Sequence, residues 1–177
     1  MIYKNIHSID SPVLVIENKL DYTRVLDYNF LNFYNFEISN SKFPITKLTP
    51  KFLSPKVTLV SYGGNSKLII EAMEKLLIEH EISIELFFLS SISPLIGADI
   101  NEILISTEKT GKLITLEEGS TNAGFGSEVI SIIAQKSNNH LKYFKLGAEP
   151  VPIPSQIQLE KKALPNHDSL IDSILKI

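Results

Sequence analysis

The run Val57-Thr58-Leu59-Val60-Ser61-Tyr62 stops at Gly63-Gly64 and passes at once into a helical period, and this strand, glycine turn, helix succession constrains the fold more than any other feature. Up to Val60 the residues are apolar or β-branched, as a buried strand requires. Beyond Gly64 the period changes. Ile69, Met73, Leu76 and Leu77 fall on one helical face, with Lys67, Glu71, Glu74 and Lys75 on the other. Asn65 or Ser66 is placed to cap the free N–H groups, and the helix is predicted to end near His80.

The same alternation repeats downstream. Strands are predicted at 82–89, 112–116 and 141–146, with a further short run at 12–17 that Pro12 places at a sheet edge. Helices are predicted over 100–108 with Asp99 as N-cap, from Gly126 or Ser127 to Gln135 with Val129, Ile130 and Ile133 inward, and over 167–176. In the last, Leu170, Ile171, Ile174 and Leu175 form the apolar side. Five strands separated by helices imply a single α/β domain, a three-layer α/β/α sandwich around a mostly parallel sheet. A chain of 177 residues with 44% hydrophobic content suits one such domain with a docked extension. The expected division is 1–52, a first strand plus an irregular lead-in, and 53–177, the α/β domain.

Residues 18–52 break the alternation. They hold eight of the chain's fifteen aromatic residues, among Asn, Ser and Asp. Such a stretch either covers the end of the core or forms a surface for a partner. The candidate interface is Tyr28, Phe30, Phe33, Tyr34 and Phe36, a segment poor in charge. The expectation is a homodimer in solution with Phe33 or Tyr34 near the centre of the contact. The Pro-rich passage 149–155 reads as an extended connector to the last helix.

Composition excludes several functions. A net charge of −3, with no Lys/Arg cluster, disfavours nucleic acid. The absence of cysteine removes thiolate catalysis, cysteine zinc sites and disulfides, in keeping with a cytoplasmic protein. No apolar run approaches the length of a membrane span.

The chemistry that remains is sparse. Gly63-Gly64 and Gly124-Phe125-Gly126-Ser127 each offer free N–H groups at a helix start, where an anion can sit. Neither belongs to a full dinucleotide or P-loop fingerprint, so both are expected to be structural turns. Glu117-Glu118 ends a strand, where α/β sheets collect their sites. Adjacent strand residues point to opposite faces, so the two carboxylates cannot share one site. The expected role is that one of them, buried, caps the backbone N–H groups of the Gly124 to Ser127 turn. His7, His80, His140 and His167 have no metal-ligand spacing, and no nucleophile elbow is present. No catalytic, cofactor-binding or metal residue is assigned.

These motifs resemble a known family. Val57 to Gly64, Ser93-Pro94-Leu95, Lys109-Thr110-Gly111-Lys112-Leu113, Glu117-Glu118-Gly119, Gly124-Phe125-Gly126-Ser127-Glu128 and the tail from Leu159-Glu160-Lys161 to Leu164-Pro165 are similar to the C-terminal domain of the β subunit of thiamine-diphosphate-dependent 2-oxo acid dehydrogenases. The pyruvate, branched-chain and acetoin enzymes share it, within the wider transketolase C-terminal fold. Pro12 to Lys19 and Phe43 to Lys47 look like the segments leading into that domain. Thr46 stands where the family usually has Gly, and Ile96 where it has Asp. The resemblance implies strand order 1-3-2-4-5 with strand 1 antiparallel. It also implies partners: an α subunit holding the diphosphate and magnesium, an N-terminal pyrimidine-binding domain carrying the cofactor-activating glutamate and catalytic histidine, and a dihydrolipoyl acyltransferase core. None of those catalytic residues has a counterpart here. The chain alone is therefore expected to bind no thiamine diphosphate and to be inactive, its role being assembly and dimerisation. The alternatives are the C-terminal part of a transketolase or deoxyxylulose-phosphate synthase, or a stand-alone protein-interaction module.

Overall fold

A computed structural model describes residues 2–23, 30–95 and 97–177. Six strands form one sheet: β1 (Tyr34–Ile38), β2 (Ile45–Pro50), β3 (Val57–Tyr62), β4 (Ile84–Leu89), β5 (Lys112–Ser120) and β6 (Lys142–Ala148). The helices are α1 (Ile2–Ile6), α2 (Ser66–His80), α3 (Gly97–Thr110), α4 (Phe125–Lys136), α5 (Ile157–Ala163) and α6 (His167–Lys176). The strand order is β1-β2-β4-β3-β5-β6. The β4-β3-β5-β6 pairings are parallel, and β2 and then β1 extend the sheet antiparallel beyond β4.

Burial explains the layering. β3 lies at the centre and its first five residues are buried, so its continuous apolar run serves two faces at once. On one face Leu59, Leu86, Ile114 and Leu116 pack against Ile69, Met73 and Leu76 of α2 and Leu170, Ile171 and Ile174 of α6. On the other, Val60, Phe87 and Leu113 meet Ile103 of α3 and Val129 and Ile133 of α4. Helix, sheet and helix are the three layers expected. Among the described residues no helix is long and apolar enough to cross a membrane.

Four expectations need correction. Residues 12–17 are extended but belong to no strand of the sheet; the antiparallel neighbour of β4 is Ile45–Pro50. With that strand in first place the order 1-3-2-4-5 holds, and β1 adds a sixth strand at the edge. The sequence hid β2 because only Ile45 and Leu48 are buried in it, a spacing of three that matches no simple strand alternation. Tyr34 is a core residue, 2% exposed among Leu48, Leu59 and the α2 face, and not an interface residue. Burial pushes its phenol up to about 12. Lastly, α3 starts at Gly97, so Asp99 sits inside its first turn and is not the N-cap. A short helix, α5, follows the Pro-rich connector where none was expected.

Candidate functional site

Parallel α/β sheets gather their functional groups at the carboxyl ends of the strands. Here that edge holds the Tyr62 to Asn65 turn after β3, Glu117 to Ser120 at the end of β5, and the turn into α4. Register decides what each carboxylate faces. Residues 114 and 116 of β5 belong to the α2 side and residue 113 to the α4 side, so Glu117 points towards α4 and Glu118 towards α2.

Each glutamate therefore meets a different helix start. The Gly64 N–H donates to Glu118 Oε1 at 2.8 Å. The Gly126 N–H donates to Glu117 Oε1 at a long 3.4 Å, and the Phe125 N–H also faces this carboxylate. Glycine is required for the close approach. Gly63 has φ of +69°, and a Cβ on it or on Gly64 would run into the Glu118 carboxylate. A Cβ on Gly124 would strike the Glu117 carboxylate and lie 2.5 Å from the Ser120 carbonyl oxygen, while one on Gly126 would strike the Thr115 hydroxyl. Tyr62 packs edge-on against Phe125, ring centroids 4.8 Å apart. Lys145 Nζ donates to the Thr121 carbonyl at 3.0 Å and to Ser127 Oγ at 2.8 Å, tying β6 to this turn.

Burial sets the electrostatics. Glu117 is 1% exposed, and desolvation holds its carboxyl above the usual carboxylate range despite the N–H groups of Gly126 and Phe125 and the charge of Lys145, which act the other way. Desolvation first, and then Glu117 and Glu118, raise the Tyr62 phenol.

Chemically, the arrangement is self-contained. The starts of α2 and α4 at this edge are both filled by carboxylates of the same chain, so a phosphate could enter either of these two only by displacing Glu118 or Glu117. Among the described residues no group of three or more His, Asp or Glu could hold a metal ion.

The other candidate residues lie elsewhere. Phe33 and Phe36 are about half exposed, at the start and middle of the edge hairpin. Tyr28 lies outside the described residues, and Phe30 opens the short 3-10 turn that ends at Phe33. One polar cluster escaped the sequence reading. Glu85, buried on β4, accepts from Thr49 Oγ1 at 3.0 Å and Ser106 Oγ at 2.7 Å, with Lys47 Nζ 3.8 Å away. Thr58 continues the chain to Ser106 and Thr110, knitting α3 to the sheet. A charged residue inside an apolar strand, Ile84-Glu85-Leu86-Phe87, was its sequence signal.

Comparison with known proteins places this geometry. The model of the transketolase C-terminal domain matches residues 50–170. The chain is 31% identical over 172 residues to the pyruvate dehydrogenase E1 component subunit beta of Rickettsia bellii, covering 95% of this chain and 49% of that protein. It is also 31% identical to the mitochondrial subunit beta-1 of Arabidopsis thaliana, covering 90% and 42% respectively. A split gene transketolase solved as an inactive β4 tetramer superposes with a TM-score of 0.59 at 25% identity, covering 68% of this chain and 38% of that one. The chain thus spans about half the length of the curated relatives it matches, and it belongs to the transketolase C-terminal domain family.

Proposed function

We propose that this chain is the C-terminal assembly domain of the β subunit of a thiamine-diphosphate-dependent 2-oxo acid dehydrogenase decarboxylase, acting in the cytoplasm and supplying no catalytic residue of its own. The observation that carries the reading is the occupancy of the α2 and α4 starts by Glu118 and Glu117. Helix starts filled internally are suited to holding a packed joint in place and not to holding a diphosphate. The relatives are pyruvate dehydrogenase subunits, which favours pyruvate over branched-chain substrates. On this reading thiamine diphosphate and magnesium are held by an α subunit and a pyrimidine-binding domain, and a dihydrolipoyl acyltransferase core docks on the assembly.

Self-association belongs to the same proposal, and the edge strand supports it. Ser39 N–H donates to the Ile45 carbonyl and Lys51 N–H to the Phe33 carbonyl, so odd-numbered residues of β1 turn their backbone groups to β2. Phe36 and Ile38 turn theirs to the outer side of the sheet. In an antiparallel two-fold pairing centred on Phe36, Glu37 would face Asn35 of the second copy and no like charges would meet. The related split transketolase is itself a tetramer of one chain type.

Isothermal calorimetry of the chain with thiamine diphosphate and magnesium should give no binding heat. A micromolar dissociation constant, about −8 kcal/mol, would overturn the proposal. Binding of a sugar phosphate would instead favour the transketolase alternative. Light scattering over a dilution series should show a dimer that Phe36→Asp disrupts.

A further inference from the structure

Lys145 closes a turn while lying beside a buried carboxyl group with which it makes no ion pair. On β6 it stands opposite Thr115 of β5, and Glu117, two residues further along β5, shares that face. The two side chains are diagonal neighbours on adjacent strands, within reach of a lysine stem, and the Lys145 charge already acts on the Glu117 carboxyl. Its Nζ is nevertheless committed elsewhere, donating to the Thr121 carbonyl at 3.0 Å and to Ser127 Oγ at 2.8 Å. Ser127 Oγ in turn donates to the Thr121 carbonyl at 3.2 Å, so one exposed ammonium holds residues 121–127 shut over the start of α4.

Two groups on the same face of β5 are short of donors. The hydrogen bond to Glu117 from the Gly126 N–H is long, 3.4 Å. The Thr115 hydroxyl is fully buried and, among the described residues, has no hydrogen-bond partner. A neutral carboxyl tolerates this arrangement. An ionised one, buried and poorly bonded, does not, and needs a cation brought to it.

We infer that Lys145 is a two-position tether: it closes the 121–127 turn while Glu117 is protonated, and swings to the Glu117 carboxylate when that proton leaves to solvent. In the second position Nζ gives Glu117 a charge-assisted hydrogen bond, about twice as strong as the neutral ones it gives up. It also brings a donor to the Thr115 hydroxyl. The Thr121 carbonyl and Ser127 Oγ pass to water, and the turn opens.

The surrounding charges leave this task to Lys145. From the end of β3 Glu117 meets Tyr62, whose phenol is raised by burial and then by both glutamates and so stays neutral. On β5 itself Glu118 points to the other side of the sheet, and the charged residue of the first turn of α4, Glu128, is exposed. From β6 comes Lys145. The direction of the switch follows from burial: desolvation keeps the Glu117 proton to a pH above the ordinary carboxylate range, so the turn is closed at acid pH and opens as pH rises through the raised value.

The test is amide hydrogen exchange, corrected for its intrinsic pH dependence, together with the NMR signal of the Lys145 side chain, between about pH 4 and about pH 8. The reporter amide is Ser127, whose N–H donates to the Gly124 carbonyl at 3.1 Å. In the wild type its protection should fall at least about 10-fold across the range, and the Lys145 Cε signal should shift with the same midpoint. Glu117→Gln keeps the volume and has no proton to lose, so it should hold the turn closed and the Lys145 signal steady at every pH. Lys145→Met, at an exposed position, should leave the turn open throughout, and this comparison stands by itself should Glu117→Gln not fold. A wild-type Lys145 signal indifferent to pH overturns the tether. So does an opening that persists in Glu117→Gln, or a Lys145→Met turn as protected at acid pH as that of the wild type.

Discussion

Glu117 and Glu118 are neighbours on one strand, each facing the start of a different helix across opposite faces of the sheet, and their surroundings could hardly differ more. Glu117 is buried between Gly124, Gly126, Thr115 and Gly147, with a long 3.4 Å hydrogen bond from the Gly126 N–H. Glu118 is exposed, with a shorter 2.8 Å bond from the Gly64 N–H. The better hydrogen bond belongs to the carboxylate with less at stake. Desolvation outweighs hydrogen-bond geometry here: the buried group keeps its proton to higher pH although two N–H groups and Lys145 oppose this. One turn is a packed joint, and the other is a surface clasp.

The sharpest way to break this contrast is to add volume at each turn. Gly126→Val should cost about 3 kcal/mol or more, because its Cβ would meet the fully buried, β-branched Thr115 and the Glu117 carboxylate, neither of which can withdraw into solvent. Gly63→Ala should cost about 1–2 kcal/mol, set by the backbone strain of a positive φ. There the added carbon meets only the end of a flexible, exposed Glu118. Urea unfolding of both variants tests the ranking; equal losses would mean that the buried turn relaxes as readily as the exposed one.

Removing the carboxylates separates them further. Glu117→Ala should cost about 1–3 kcal/mol through the N–H groups it leaves unpaired and the space it empties. Glu117→Gln keeps the volume and tests the proton. Because the folded state holds this proton more tightly than the unfolded chain, wild-type stability must fall as pH rises from the ordinary carboxylate range through the raised folded value, and the favourable contribution lies below that window. Relative to wild type, Glu117→Gln should therefore gain stability as pH is raised through it. Parallel pH profiles for the two proteins would show that Glu117 is solvated in solution.

How much of this was legible in the sequence follows the same division between packed and clasped. β3, β4 and β5 announce themselves because strands buried on both faces need continuous apolar runs, and α2 and α6 because one stripe of each is buried. The opposite facing of Glu117 and Glu118 is a consequence of strand alternation and could be read directly. Glu117 faces the Gly124 to Ser127 turn while Glu118 serves the Gly64 turn, for which no carboxylate was expected. What misled was the edge. The strand Ile45-Thr46-Lys47-Leu48-Thr49-Pro50 lies between β4 and the outermost strand β1 with only a partial cover on its faces, so its burial follows its local environment and not the alternation. Residues 12–17 show the converse: strong strand chemistry without a sheet in this fold to use it. Tyr34 looked like surface because it sits among exposed aromatics, and only the β1–β2 register, which sets it opposite Pro50, turns it into the core.

The smallest effect expected is at Glu118, and it defines the exposed end of the comparison. Glu118→Ala leaves the Gly64 N–H free, but water can reach it, so the loss should be about 0.5–1 kcal/mol, the net worth of one hydrogen bond exchanged for solvent. The consequence should be local. Amide exchange at Gly64 should quicken while the β3 core amides keep their protection, since the latter report global unfolding. In the Glu117→Ala variant the β3, β5 and α4 amides should lose protection together, because that carboxylate sits where the sheet and helix close on each other. If Glu118→Ala instead loosened the whole sheet, the clasp would be a second joint, and Asn18 against Gly64 would mark a place where the segment leading from residue 12 holds the domain together.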